Sequence, residues 1–134
     1  MAGYSGTSLQ KKLGIKPGTN LFIQNAPANY FDWISPLPEK VSVSKSLINN
    51  LDFIHLFVKD QKEFKRSFTS NKKHLKKDGM MWISWPKKSS GVITDLDENF
   101  IRDFGLKEGL VDVKVCAVDE TWSGLKFVYR LKDR

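Results

Sequence analysis

Cysteine is nearly absent from this chain. The single residue, Cys116, excludes an intrachain disulfide. Histidine is as scarce, and His55 and His74 stand too far apart to form a Cys/His group with zinc spacing, so no metal site is expected. No apolar run approaches the roughly 20 residues that cross a bilayer, so no membrane association is expected. The start Met1-Ala2-Gly3-Tyr4-Ser5 lacks the basic stretch and apolar core of a secretory leader. With so little cysteine, a reducing cytoplasm is the expected location. What is present is enough apolar material for one packed interior: of 134 residues, 40% are hydrophobic and 12% aromatic. That composition excludes disorder, and the length suits a single domain over residues 1–134.

The net charge of +7 is local. Between Lys59 and Lys88 there are ten Lys/Arg against three Asp/Glu, a difference of +7, so the rest of the chain is balanced. A basic segment of this kind attracts phosphate, or is simply a solvated helix face.

The pattern of elements alternates. Ser8 to Gly14 predicts a short helix, with Leu9 and Leu13 sharing a face and Gly14 as its stop. Leu21-Phe22-Ile23 predicts a strand buried on both faces. A short helix is expected from Tyr30 to Ile34, then a weak edge strand at Val41-Ser42-Val43. Phe53 to Val58 is the clearest strand. Asp60 with Glu63 has capping-box form and opens a helix expected to reach Asp78-Gly79, with Phe64, Phe68 and Leu75 on one face and Lys72, Lys73, Lys76 and Lys77 in its last turns. Met80 to Trp85 is the next strand. Thr94 with Asp97 suggests a second capping box ahead of a Leu96, Phe100, Ile101, Phe104 stripe. Val111 to Val118 alternates, as do Leu125, Phe127, Tyr129 and Leu131, with a hairpin-like Asp119 to Gly124 between them. Strand–helix–strand alternation predicts parallel pairing. The fold class is therefore α/β: a three-layer Rossmann-like sandwich of about six strands, mostly parallel, the last antiparallel.

Several stretches carry a family resemblance: Gly3-Tyr4-Ser5-Gly6-Thr7, Leu13-Gly14-Ile15-Lys16-Pro17-Gly18, Asn25-Ala26-Pro27-Ala28, Trp85 to Gly91, and Val115 to Lys126. Together they resemble, nearly end to end, a bacterial domain family of unknown function, number 3052. That resemblance implies a bacterial origin and transfers no activity and no catalytic residue. More loosely, the turn into Met80-Met81-Trp82 and the terminal hairpin resemble the second half of class I methyltransferases. Those enzymes hold S-adenosylmethionine with a glycine-rich turn after the first strand. Here the turn is Gln24-Asn25-Ala26-Pro27, without glycine, and the weak second strand has no acidic residue at its end to bind a ribose.

Ligands of open α/β sheets sit beyond the carboxyl ends of the strands. This rule selects Asn25, Ala26 and Pro27, then Lys59 and Asp60, then Pro86 to Ser90, and the hairpin 119–124. Lys87 and Lys88 are candidates to clamp an anion. Asp119 and Glu120 are adjacent carboxylates suited to acid/base work or to fixing their own turn. Trp85 and Trp122 could stack on a flat ring, and Trp85, beside Pro86 at a strand end, is the better placed of the two. Tyr4, Ser5 and Thr7 have the hydroxyl content of an anion-binding turn. Cys116 is expected as a buried thiol and His55 as a core histidine with satisfied nitrogens. The leading expectation is a small non-enzymatic binding or regulatory domain without a cofactor, using Lys87, Lys88, Asp119, Glu120 and Trp122, with Tyr4, Ser5 and Thr7 in support, to bind an anionic small molecule, a nucleotide or a protein partner. One alternative is a degenerate S-adenosylmethionine-dependent methyltransferase. The other is a nucleic-acid accessory protein built on the lysines at 72, 73, 76, 77, 87 and 88.

Overall fold

A computed structural model describes residues 8–134. The elements in chain order are α1 (Leu9–Leu13), β1 (Asn20–Gln24), α2 (Tyr30–Trp33), β2 (Ser42–Ser44), β3 (Leu51–Phe57), α3 (Gln61–Lys72), β4 (Leu75–Pro86), α4 (Glu98–Lys107), β5 (Leu110–Ala117) and β6 (Trp122–Tyr129). They form one six-stranded sheet in the order β2-β1-β3-β4-β6-β5. The first four strands pair in parallel, and β6 inserts antiparallel between β4 and β5. The expected fold class is the observed one.

Strand alternation divides the interior into two layers. On β3, Ile54 and Leu56 turn toward α3 and α4, joining Phe64, Phe68, Ile101, Met81, Ile83 and Phe127. Phe53 and Phe57 turn the other way, joining Leu13 of α1, Tyr30 of α2, and Trp82. The Trp82 indole N–H donates to the Leu13 carbonyl at 2.8 Å, which ties α1 to the sheet.

Several boundaries and one strand pattern differ from expectation. Helix α3 stops at Lys72, and Leu75 belongs to β4, where it pairs with Leu51. Lys76 and Lys77 therefore lie on a strand, not in a last helical turn. Gly79 permits the long strand: a Cβ there would lie 3.0 Å and 3.1 Å from the carbonyl oxygens of Asp52 and Leu51. Helix α4 is capped by Asp97, whose carboxylate accepts from Phe100 N at 2.8 Å. Thr94 instead donates to the Lys59 carbonyl at 2.6 Å. On β5 the alternation breaks at an irregularity between Asp112 and Lys114. Val113 and Val115 are exposed there. Leu131 lies beyond β6 and is exposed.

Candidate functional site

The chain leaves β1 leftward to β2 and returns on the other side of β1 as β3. Such a reversal opens a crevice at the carboxyl ends of the two strands. The crevice here has a volume of about 370 Å³ and is lined by Asn25, Pro27, Phe57, Lys59, Glu63 and Trp122. That size lies within the usual range of small-molecule sites.

Each wall has a local cause. Asn25, directly after β1, adopts a left-handed backbone with φ of 59°. Asparagine is among the few residues with a side chain that tolerate this region. Its amide donates to the Phe57 carbonyl at 3.3 Å and to Glu63 Oε2 at 3.4 Å. After β3, Asp60 caps α3 by accepting from Glu63 N at 2.7 Å. The Glu63 carboxylate reaches back to Lys59 N at 3.2 Å. The reciprocal half of the expected capping box thus falls one residue early, and Glu63 joins the two turns that bound the crevice.

Trp122 opens β6 and meets Phe57 edge to face, with ring centroids 5.0 Å apart. Its placement depends on Asp119, whose Oδ1 accepts from Thr121 N at 2.9 Å and Trp122 N at 2.7 Å. Asp119 fixes its turn in the way expected of an aspartate that bonds its own backbone.

Behind the crevice lies a buried polar chain. Tyr30 Oη and His55 Nδ1 are 2.8 Å apart, and His55 Nε2 and Ser84 Oγ are 2.7 Å apart. His55 is fully buried, and desolvation lowers its pKa to about 3, so the ring is neutral. Burial also pushes the Tyr30 phenol upward. The His55 ring stacks on Phe57 at 4.3 Å. The expected satisfied core histidine is therefore present, and it backs one wall of the crevice.

The structure brings only some of the predicted residues together. Trp122 lines the crevice; Lys87, Lys88, Asp119 and Glu120 do not. Lys87 N donates to the Thr121 carbonyl at 2.8 Å, so the loops after β4 and β5 run side by side. Tyr4, Ser5 and Thr7 lie outside the described residues. Trp85 is 6% exposed and packs in the layer under α3 and α4, so the preference for Trp85 over Trp122 is reversed. Cys116 is half-buried, and burial raises its thiol pKa. Asn25, Pro27 and Lys59 follow from the strand-end rule. Phe57 and Glu63 were missed because an apolar strand residue and a capping glutamate already have sufficient structural roles.

No known family model and no curated protein matches the chain, so the resemblance to family 3052 has no match behind it. Solved structures do match. A SAM-dependent methyltransferase from Aquifex aeolicus superposes with a TM-score of 0.63 at 15% identity, covering 89% of this chain and 86% of that one. Aeropyrum pernix fibrillarin, with natively bound S-adenosyl-L-methionine, gives 0.60 at 15% identity over 90% and 72%. Magnesium protoporphyrin IX methyltransferase from Synechocystis PCC 6803, with bound SAM, gives 0.62 at 8% identity over 91% and 74%. These neighbours overturn the expectation of a non-enzymatic domain without a cofactor and favour the methyltransferase alternative. That expectation rested on a turn without glycine, on Pro27 without an N–H, and on a second strand without an acidic residue at its end; of these, the left-handed step that glycine often makes is made here by Asn25. The fold is that of the class I S-adenosylmethionine-dependent methyltransferases.

Proposed function

We propose that this chain binds S-adenosylmethionine in the crevice between β1 and β3 and is a methyltransferase-like protein. The observation that carries this reading is the coincidence of that sheet order with a crevice at the strand reversal. We also keep, as part of the proposal, the motif-based assignment to bacterial family 3052 and a cytoplasmic setting. Among the described residues no helix is long and apolar enough to cross a membrane.

The lining suits the ligand in three respects. Trp122, backed by the buried ring of Phe57, offers ring surface to an adenine or to a sulfonium cation. The Lys59 ammonium would pair with the ligand carboxylate. Glu63 accepts one hydrogen bond at each oxygen and keeps lone pairs for an ammonium or a ribose hydroxyl. The last point matters because the segment after β2, from Lys45 to Asn50, contains no carboxylate. When bound, the cofactor supplies an electrophilic methyl group; the chain's own part is to bind and orient it.

Calorimetric titration with S-adenosylmethionine and S-adenosylhomocysteine tests this. Saturable one-to-one binding is expected, with Trp122→Ala weakening it roughly tenfold, the order of a lost stacking contact. A ligand at about a hundred times its dissociation constant also adds about 2.7 kcal/mol of stability, visible as a rise in melting temperature. No binding of either compound at millimolar concentration would end the proposal.

A further inference from the structure

The second face of β6 carries an arrangement that the crevice does not use. Leu125, Phe127 and Tyr129 turn into the α3/α4 layer, so alternation places Lys126 on the face that packs α1. Directly opposite Lys126 on β5 is Lys114. Like charges paired across strands repel each other. The Lys114 ammonium also donates to the Lys12 carbonyl at the end of α1, at 2.9 Å. Lys11 and Lys12 occupy the last turn of that helix. A Cβ on Gly14 would sit 3.7 Å from Lys126 Nζ, and Lys16 follows two residues later.

Lysines from α1, the α1–β1 turn, β5 and β6 thus gather on one face. Among the described residues the ion pairs are Lys76 with Asp52, and Arg102 with Glu98 and Asp112; none takes a lysine of this group. Asp52 and Asp78 share a groove with Lys16 at the margin, where Asp52 is held by Lys76. Burial first, then the charges of Lys114 and Lys16, lower the Lys126 pKa, in keeping with the ammonium groups gathered around it.

We propose that this lysine face is a docking surface for the phosphate backbone of duplex nucleic acid. Charge complementarity names a polyanion, since the cations come from four separate elements and no single phosphate would meet them all. Lysine is a point charge, suited to phosphate contact rather than to forked base recognition. Single-stranded platforms stack bases on exposed rings. Here β5 has no aromatic residue, Phe127 and Tyr129 are buried, and Trp122 lines the crevice. A duplex, gripped by its backbone, is the form that needs no such rings. This docking does not depend on a methyl donor, so it stands or falls apart from the cofactor reading.

Fluorescence anisotropy with the full chain and DNA and RNA duplexes of about 25 base pairs, at about 50 and about 200 mM salt, tests the surface. Duplex binding is expected at the lower salt. Lys114→Ala with Lys126→Ala should weaken it about tenfold and reduce the salt slope by about two. The Arg pair at the same positions should restore both. Lys62→Ala with Lys65→Ala, on α3 across the sheet, should leave the slope unchanged. Thermal melting of the Lys114/Lys126 alanine variant should stay close to the parent, because removal of the repulsive pair offsets the lost hydrogen bond from Lys114 to the Lys12 carbonyl. Unaltered binding by that variant, an equal loss in the α3 variant, or binding to phosphatidylserine vesicles without binding to any duplex would each overturn the proposal.

Discussion

At the scale of single residues, His55 shows how burial sets chemistry. An ordinary histidine titrates near 6.5; in this interior the value falls to about 3, because the protonated ring would lie fully desolvated between Tyr30 and Ser84. The folded-state value is depressed, so the unfolded chain binds the extra proton between pH 6.5 and 3. The stabilising contribution is therefore complete above pH 6.5 and is lost as pH falls through that window. The slope is about 1.4 kcal/mol per pH unit, or about 2 kcal/mol between pH 7 and pH 5 from this residue alone. Ring resonances of His55, followed by NMR from pH 8 to pH 5, should not titrate while the protein remains folded. A midpoint near 6.5 would show the ring to be solvated and the buried chain to be absent. The role of His55 as a core histidine was legible from its apolar strand. Its partners were not, since Tyr30 and Ser84 lie 25 and 29 residues away and meet it only through the packing of α2 on the sheet and the pairing of β3 with β4.

At the scale of elements, local signals carried most of the reading. The cap at Asp60, the stop at Gly14 and the apolar stripes of α3 and α4 all act within one or two turns of chain. The misreadings share a cause: a distant strand decided the outcome. Leu75 has helical spacing from Phe68, yet pairing with Leu51 takes it into β4. The crevice was half legible for the same reason, with Asn25 and Lys59 marked by strand ends but Phe57 and Glu63 claimed by local roles. The α4–β6 contact offers a test of tertiary over local preference. Alanine is a better helix former than glycine by about 1 kcal/mol, so Gly105→Ala should stabilise an isolated α4. In the fold, its Cβ would lie 2.1 Å from Cε1 and 2.5 Å from Cζ of Phe127, whose ring is fully buried. Overpacking of this kind costs about 1–3 kcal/mol, and a ring enclosed by Phe68 has no free space to enter. An approach of 2.1 Å to a buried ring puts the cost at the upper end of that range, so urea unfolding of Gly105→Ala should show a net loss of about 2 kcal/mol. A variant as stable as the parent would mean that α4 stands off the sheet.

At the scale of the whole molecule, the sheet is unequal across its width. β3, β4 and β6 are hydrogen-bonded on both sides and carry the bulk of both apolar layers. β2 has three residues, forms one edge and is mostly exposed. The crevice lies where these regimes meet, with one wall on the turn after β1 and the other on the end of β3. Opening free energies in native proteins follow such differences in burial and bonding. Amide exchange should therefore be slowest in β3 and β4 and fastest, among the strands, in β2. Residues 25–33, joined to the β3 side through Asn25 and Glu63, should exchange faster than residues 51–57. A ligand in the crevice bridges the two sides and must lower the exchange of both turns together. Adding S-adenosylmethionine should thus slow residues 25–30 and 59–63 in the same experiment, leaving β2 nearly unchanged. Protection confined to one turn would place the ligand elsewhere, because no molecule seated between Asn25 and Lys59 can order one wall without the other.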